Sequence, residues 1–251
     1  MKKRILPLLI LTALSLLMAA CKPDLAAIQP TAIPTLTTST EAAESAAEES
    51  PEDASLGWWN DAVFYEIFVR SFKDSDGDGI GDFRGIIEML DYLNDGDPNT
   101  TSDLGITGIW LMPIFPSPSY HGYDVTDYKA VNPDYGTLQD FQDLLEACHE
   151  RGIRVIIDFV INHTSSEHPW FVSSKNEASE YRSWYVWSDT KLTQTGPWGQ
   201  NAWYQSGGSF YYAPFWSGMP DLNYKEPKVT EAMYDATKFW LDMGVDGFSV
   251  D

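Results

Sequence analysis

Four groups of residues in this chain have the types and spacing to do chemistry. The run Asp74-Ser-Asp76-Gly-Asp78-Gly-Ile80-Gly-Asp82 alternates carboxylates with flexible glycines. Hard oxygen ligands at that spacing suit Ca2+. A twelve-residue calcium loop set between two helices needs a bidentate Glu at its last position, where this chain has Gly85. The run therefore reads as a metal-stapled loop after a strand, with a solvated acidic turn as the alternative. His121, Tyr123 and Asp124 form the second group, Asp158, Asn162 and His163 the third, and Asp251 the fourth.

Each group directly follows an apolar segment that would position it. Residues 63–72 and 106–114 are apolar, β-branched or aromatic and predict strands, as do 154–161 and 245–250. Helical spacing of Phe83, Ile86, Ile87, Leu90 and Leu93 predicts a helix over 83–93. A second helix over 138–151 has Thr137 as its N-cap and Gly152 as its stop, and a third runs over 230–243 to Gly244. Near-continuous apolar strands separated by helices imply a parallel sheet covered on both faces. Four such units open either a doubly wound sheet or a (β/α)8 barrel, and in a barrel all four groups fall on the C-terminal face, where active sites sit. Residues 164–218 interrupt the pattern with an insertion rich in Trp, Tyr, Ser and Gly, long enough to be a functional loop or a subdomain.

Composition narrows the partners. A formal net charge of -21 over 251 residues repels nucleic acid and anionic lipid. The 10 Trp, 13 Tyr and 12 Phe are a heavy aromatic load, which suits stacking on sugar rings as well as core packing. Of the two cysteines, Cys148 lies on an apolar helical pattern and reads as an inert buried thiol. Cys21 belongs to an export segment: Lys2, Lys3 and Arg4, an apolar run over 5–17, then Met18-Ala-Ala-Cys21. Small residues before a Cys resemble a bacterial lipobox, with Met18 where Leu is usual, and would make Cys21 the lipidated first residue. The other reading is ordinary cleavage near Ala20. Residues 22–56 are acidic and rich in Ala, Thr, Ser and Pro, a composition that predicts a flexible tether. The chain thus reads as anchor (1–21), spacer (22–56) and folded part, an exported lipoprotein of a bacterial membrane or surface, or else a secreted protein.

The segments Gly105-Ile-Thr-Gly-Ile-Trp-Leu-Met-Pro113, Asp158-Phe-Val-Ile-Asn162-His163, Met219-Pro-Asp221-Leu-Asn223 and Gly244-Val-Asp-Gly-Phe-Ser-Val-Asp251 stand in the order of the signature regions of glycoside hydrolase family 13, the α-amylase family. The resemblance covers the chain from about Trp58 onward. Met219-Pro-Asp221-Leu-Asn223 is similar to the group that includes lipoprotein α-amylases, between the oligo-1,6-glucosidases and neopullulanases. It implies the first four units of a (β/α)8 TIM barrel, at 57–163 and 219–251, with a domain B inserted after the third strand at 164–218.

The resemblance also implies roles. Asp251 would be the nucleophile of a retaining mechanism, in which one carboxylate forms the glycosyl-enzyme and another protonates the leaving oxygen. Tyr123 resembles the aromatic platform under the sugar at the cleavage point, and His163 the donor to its hydroxyls; His121 and Asp124 are further substrate-side candidates. Asp158 would orient neighbours. Asp74, Asp76, Asp78 and Asp82, with the Ile80 carbonyl, would hold calcium; Asn162 is offered as a ligand of a second calcium, and that reading stays open. The family's acid/base Glu and stabilising Asp follow later strands, so the 251 residues alone are expected to be inactive and to leave a sheet edge open. One departure stands out: the family has Arg two residues before the nucleophile, and this chain has Ser249. The expected substrate is an α-1,4-glucan or maltooligosaccharide. An α-glucosidase or trehalose-synthase-type transglycosylase, or a non-catalytic glucan-binding surface protein, are the alternatives.

Overall fold

The computed structural model describes residues 57–250. The export segment, Cys21, the tether at 22–56 and Asp251 lie outside the described residues. Among those described, no helix is long and apolar enough to cross a membrane.

Strands β1 (Phe64–Ile67), β2 (Gly108–Leu111), β3 (Arg154–Phe159) and β7 (Gly247–Val250) form one sheet in the order β1-β2-β3-β7, with every neighbouring pair parallel. The crossovers carry α2 (Phe83–Glu88) and α3 (Leu90–Leu93), then α4 (Leu138–Glu150), then α6 (Pro227–Met243). Consecutive strands lying side by side through helical crossovers make the opening units of a (β/α)8 barrel, not a doubly wound sheet whose strand order reverses.

The elements differ from the sequence expectation at their ends, for local reasons. Residues 63–72 split into β1 and a helical turn α1 (Val69–Phe72), because a short apolar run is compatible with either state. The predicted helix over 83–93 breaks at Met89, which caps both α2 and α3. Helix α6 starts three residues earlier than its apolar periodicity marks: Pro227 needs no N–H in the first turn, and the Glu226 side chain accepts from the Lys228 N–H. Helix α4 begins as expected, with a capping box in which Thr137 and Asp140 each bond the other's backbone N–H. Gly244, at φ +113°, ends α6 in a conformation that side chains disfavour.

One apolar layer joins helices to sheet. Phe83, Ile86, Leu90 and Leu93, Phe141, Leu144, Leu145 and Cys148, and Val229, Met233, Ala236 and Trp240 are all buried against the strands. Burial pushes the Cys148 thiol up to about 12, so it stays protonated and unreactive at neutral pH. Trp240 sits at the centre, with its ring 5.6 Å from that of Phe115 and 5.5 Å from that of Phe141.

The insertion, which shows no clear periodicity in sequence, holds a helix α5 (Pro169–Ser174) and a separate antiparallel sheet of β4 (Trp187–Ser188), β6 (Ser209–Tyr212) and β5 (Trp203–Ser206). His168 caps α5 by accepting the Trp170 N–H at 3.1 Å. Burial lowers its pKa from 6.5 to about 4, so the folded state holds it neutral while an unfolded chain would protonate it near 6.5. Stability attributable to His168 is therefore full above pH 6.5 and falls as pH drops toward 4, by on the order of 3 kcal/mol at full extent. A His168→Asn variant keeps the cap without the titration. Melting temperatures followed from pH 7 to 4.5 should fall less steeply for it than for the parent, and equal slopes would refute the assignment.

Candidate active site at the carboxyl ends of the strands

The acidic loop after α1 is fastened before any ligand is considered. Gly81 donates to the Arg70 carbonyl at 2.8 Å, and Asp82 donates to the Lys73 carbonyl at 3.0 Å. A Cβ on Gly81 would lie 2.1 Å from the Val69 carbonyl oxygen, so only glycine lets the loop lie this close to α1. Asp74 accepts the N–H groups of Gly77 at 2.7 Å and Gly79 at 2.9 Å, and these hold its carboxyl below the usual range. Asp74, Asp76 and Asp78 bring one carboxylate oxygen each within 4.8 Å of one another. Among the described residues none of the three is paired with a cation, so the donor set fits a hard divalent ion.

Asp82 fastens the far end of the loop. It caps α2 through the Gly85 N–H at 2.7 Å and accepts both the N–H and the hydroxyl of Ser75. Partial burial pushes its pKa up, but these hydrogen bonds outweigh it and hold the carboxyl ionised.

The second group is placed by Gly122, at φ +85°, where a Cβ would come within 2.9 Å of the Pro113 carbonyl. This turn brings the Tyr123 N–H onto the His121 Nδ1 at 3.1 Å, with the two rings 5.9 Å apart. The Tyr123 hydroxyl donates to Asp158 Oδ2 at 2.8 Å. Asp158 is the next-to-last residue of β3 and only 2% exposed, so it holds the Tyr123 ring in place from the buried end of the strand. Asp124 does not line the cleft: it is buried and accepts the hydroxyls of Ser117 and Ser119, which ties the loop to itself.

The third group meets residues 219–223 across a short antiparallel contact. His163 pairs with Asp221, Leu222 donates to the Asn162 carbonyl at 2.9 Å, and Thr164 donates to the Pro220 carbonyl at 3.2 Å. Asn162 Nδ2 donates to Asp221 Oδ1 at 3.0 Å. Burial pushes the Asp221 carboxyl up to about 7, against the lowering effect of that bond. His163 Nε2 lies 3.1 Å from the Tyr123 carbonyl oxygen, and the Tyr128 hydroxyl donates to the His163 carbonyl at 2.7 Å. Tyr123, His163 and the segment carrying Asp221 thus form one fastened unit.

Above it opens a cleft of about 390 Å3 lined by His121, Tyr123, His163, Trp198, Phe215, Trp216 and Met219. Sequence reading placed the first three there and missed Trp198, Phe215 and Trp216, whose only signal was the aromatic richness of the insertion; Met219 stood out only as part of the segment over 219–223. Such a lining stacks apolar ring faces and hydrogen-bonds hydroxyls, the two demands a sugar makes. Ser249 stands on β7 in register with Asp158 on β3.

Comparison with known proteins agrees with this arrangement. Residues 66–251 match the family description "Alpha amylase, catalytic domain". The chain is 52% identical over 195 residues to Alpha-amylase 3 of Dictyoglomus thermophilum, covering 77% of this chain and 37% of that protein. It is 46% identical over 216 residues to the trehalose synthase of Pimelobacter sp., covering 81% and 35%. Among solved structures, the α-amylase from H. orenii superposes with a TM-score of 0.73 at 62% identity, over 76% of this chain and 40% of that one. The chain therefore spans well under half the length of these relatives. With strand order, fastened cleft and matched residues in agreement, this chain belongs to glycoside hydrolase family 13, the α-amylase family.

Proposed function

We propose that the complete protein is a retaining glycosidase that hydrolyses α-1,4-glucosidic bonds of starch or maltooligosaccharides. The observation that carries this reading is the cleft over β2 and β3, where Tyr123 is fixed by Asp158 beside His121 and His163. A sugar ring stacked on Tyr123, with its hydroxyls bonded by the imidazoles, would present its anomeric carbon toward the strand ends. There Asp251 would attack that carbon as the leaving oxygen takes a proton from a second carboxylate, and water would then release the glycosyl group. By the family resemblance, that second carboxylate would follow a fifth strand. The similarity to a trehalose synthase supports a second reading, in which a sugar replaces water as acceptor.

Asp74, Asp76 and Asp78, joined by Asp82 and the Ile80 carbonyl, would hold Ca2+ and pin the loop between α1 and α2, a stabilising role away from the bond being cleaved. An ion at a hundred times its dissociation constant adds about 2.7 kcal/mol to the folded state. The complete protein is therefore expected to melt several degrees lower after chelation and to recover with added Ca2+. An Asp74→Ala variant should show neither change, and a chelation effect that persists in it would place the ion elsewhere. Lipidation at Cys21 and a membrane-tethered, exported location belong to the same proposal; labelling of the protein with a radioactive fatty acid, absent in Cys21→Ser, tests them.

The function itself is tested by incubating the complete gene product with soluble starch and with maltotriose, and resolving the products. New reducing ends in proportion to bonds broken support hydrolysis. Rearranged glucosides without new reducing ends support transfer. Neither, with starch still bound, would leave a glucan-binding protein.

A further inference from the structure

Two tryptophans of the insertion are exposed on backbone that is not free to fold them away. Trp198 is 75% exposed and Trp216 is 47% exposed, both on the rim of the cleft. Trp198 sits on a tight turn closed by the Gly196 N–H to the Gln200 carbonyl at 2.7 Å and the Gly199 N–H to the Gly196 carbonyl at 3.0 Å. The bridge between Thr195 and Asn201 seals its base. Gln200 joins this turn to the neighbouring loop. Its Oε1 accepts the Trp198 N–H at 2.9 Å, while its Nε2 donates to the Pro214 carbonyl at 2.5 Å and the Phe215 carbonyl at 3.0 Å. A Cβ on Gly196 would lie 2.0 Å from the Pro214 oxygen, so the two loops are already as close as backbone allows. One amide thus sets the distance between the turn carrying Trp198 and the loop carrying Phe215 and Trp216.

The rings run outward from the floor of the cleft. Phe215 lies 5.3 Å from His163 on one side and 5.9 Å from Trp198 on the other, so Trp198 stands one aromatic ring farther out than the His163 position. Trp216 lies against Gly218, where any side chain would strike its indole. Large apolar faces held rigid toward water, continuous with a sugar-shaped cleft, are prepared for a ligand that extends past the floor.

We infer that Trp198 and Trp216 contact sugar units beyond the one seated on Tyr123, and that Gln200 is the positioning residue that holds them in register. The insertion then selects chain length, favouring α-linked gluco-oligosaccharides over a single ring. This rests on the glucan reading of the cleft and specifies which residues read the extended part of the substrate.

The test separates binding from turnover. In the complete protein carrying Asp251→Asn, titration calorimetry measures the affinity for methyl α-glucoside, a single ring, and for maltohexaose. The preference for maltohexaose should fall about tenfold in Trp198→Ala and in Trp216→Ala. It should fall comparably in Gln200→Ala, whose side chain meets no sugar in this scheme. Equal losses for both sugars would make the loops a support for the floor and overturn the inference, as would an unchanged preference. Length-dependent binding that needs Trp198, in a parent that cleaves no starch, would sink the hydrolase reading and leave this one standing. Starch cleavage with a preference indifferent to all three variants would do the reverse.

Discussion

Changing Asp251 to Asn in the complete protein is expected to remove starch hydrolysis by roughly 10^4-fold or more, the scale on which losing a nucleophile acts. Asn has nearly the volume of Asp, so packing gives no reason for the fold to change. Strand β7 is held by its pairing with β3 from Gly247 to Val250, upstream of the substitution. What disappears is the charge: a neutral amide cannot form the ester to the anomeric carbon on which a retaining mechanism depends. Affinity for maltohexaose should survive, because the cleft residues that would bind it lie on other segments. Reducing-sugar release measured beside binding therefore distinguishes a missing nucleophile from a damaged site. Residual turnover within tenfold of the parent would show that Asp251 is not the nucleophile. Ser249 sharpens the case. Serine supplies no charge two residues before the nucleophile, so any activity of the parent would show that the family's Arg is dispensable here.

The parallel sheet was legible because buried strands are apolar throughout and the helices between them keep a 3.6-residue period, as at Phe141, Leu144, Leu145 and Cys148. Thr137, Gly152 and Gly244 mark ends through backbone requirements that hold whatever the tertiary context. The extent of β1 was not legible, since the apolar pattern at Val69 and Phe72 serves a helical turn as well as a strand. Nor was the sheet of the insertion: its strands are two to four residues long, too short for alternation to register.

The site divides along the same line. Groups that follow strands, such as Tyr123 and His163, announce themselves by position. Partners brought from far along the chain do not. Gln200 reaches Pro214 and Phe215, and Asp221 reaches Asn162, only through the fold of the insertion. Asp124 shows the opposite failure. A carboxylate next to Tyr123 looks substrate-facing in sequence, but two nearby serine hydroxyls draw it inward.

Truncation of Trp240 should be the most damaging single change to stability. The ring is fully buried on α6 and packs edge-on against Phe115, in the loop that follows β2, and Phe141, on α4. Removing so large a side chain costs about 3–5 kcal/mol through lost contacts and the cavity left behind. The indole also donates Nε1–H to the Tyr128 carbonyl at 2.7 Å, a bond buried at both ends. Tyr128 in turn holds the His163 carbonyl through its hydroxyl, so the same ring supports the cleft floor from behind. Trp240→Phe separates the two contributions. It keeps most of the aromatic packing and leaves the Tyr128 carbonyl without its donor, for about 1–3 kcal/mol. Urea titrations of the complete protein should rank parent, Trp240→Phe and Trp240→Ala in that order of midpoint. Both variants, assayed well below their melting temperatures, should lose affinity for methyl α-glucoside as His163 loosens. A Trp240→Ala midpoint matching the parent's would mean the helices are joined to the sheet by other contacts. Full stability loss with unchanged sugar affinity would cut the link from α6 through Tyr128 to the cleft.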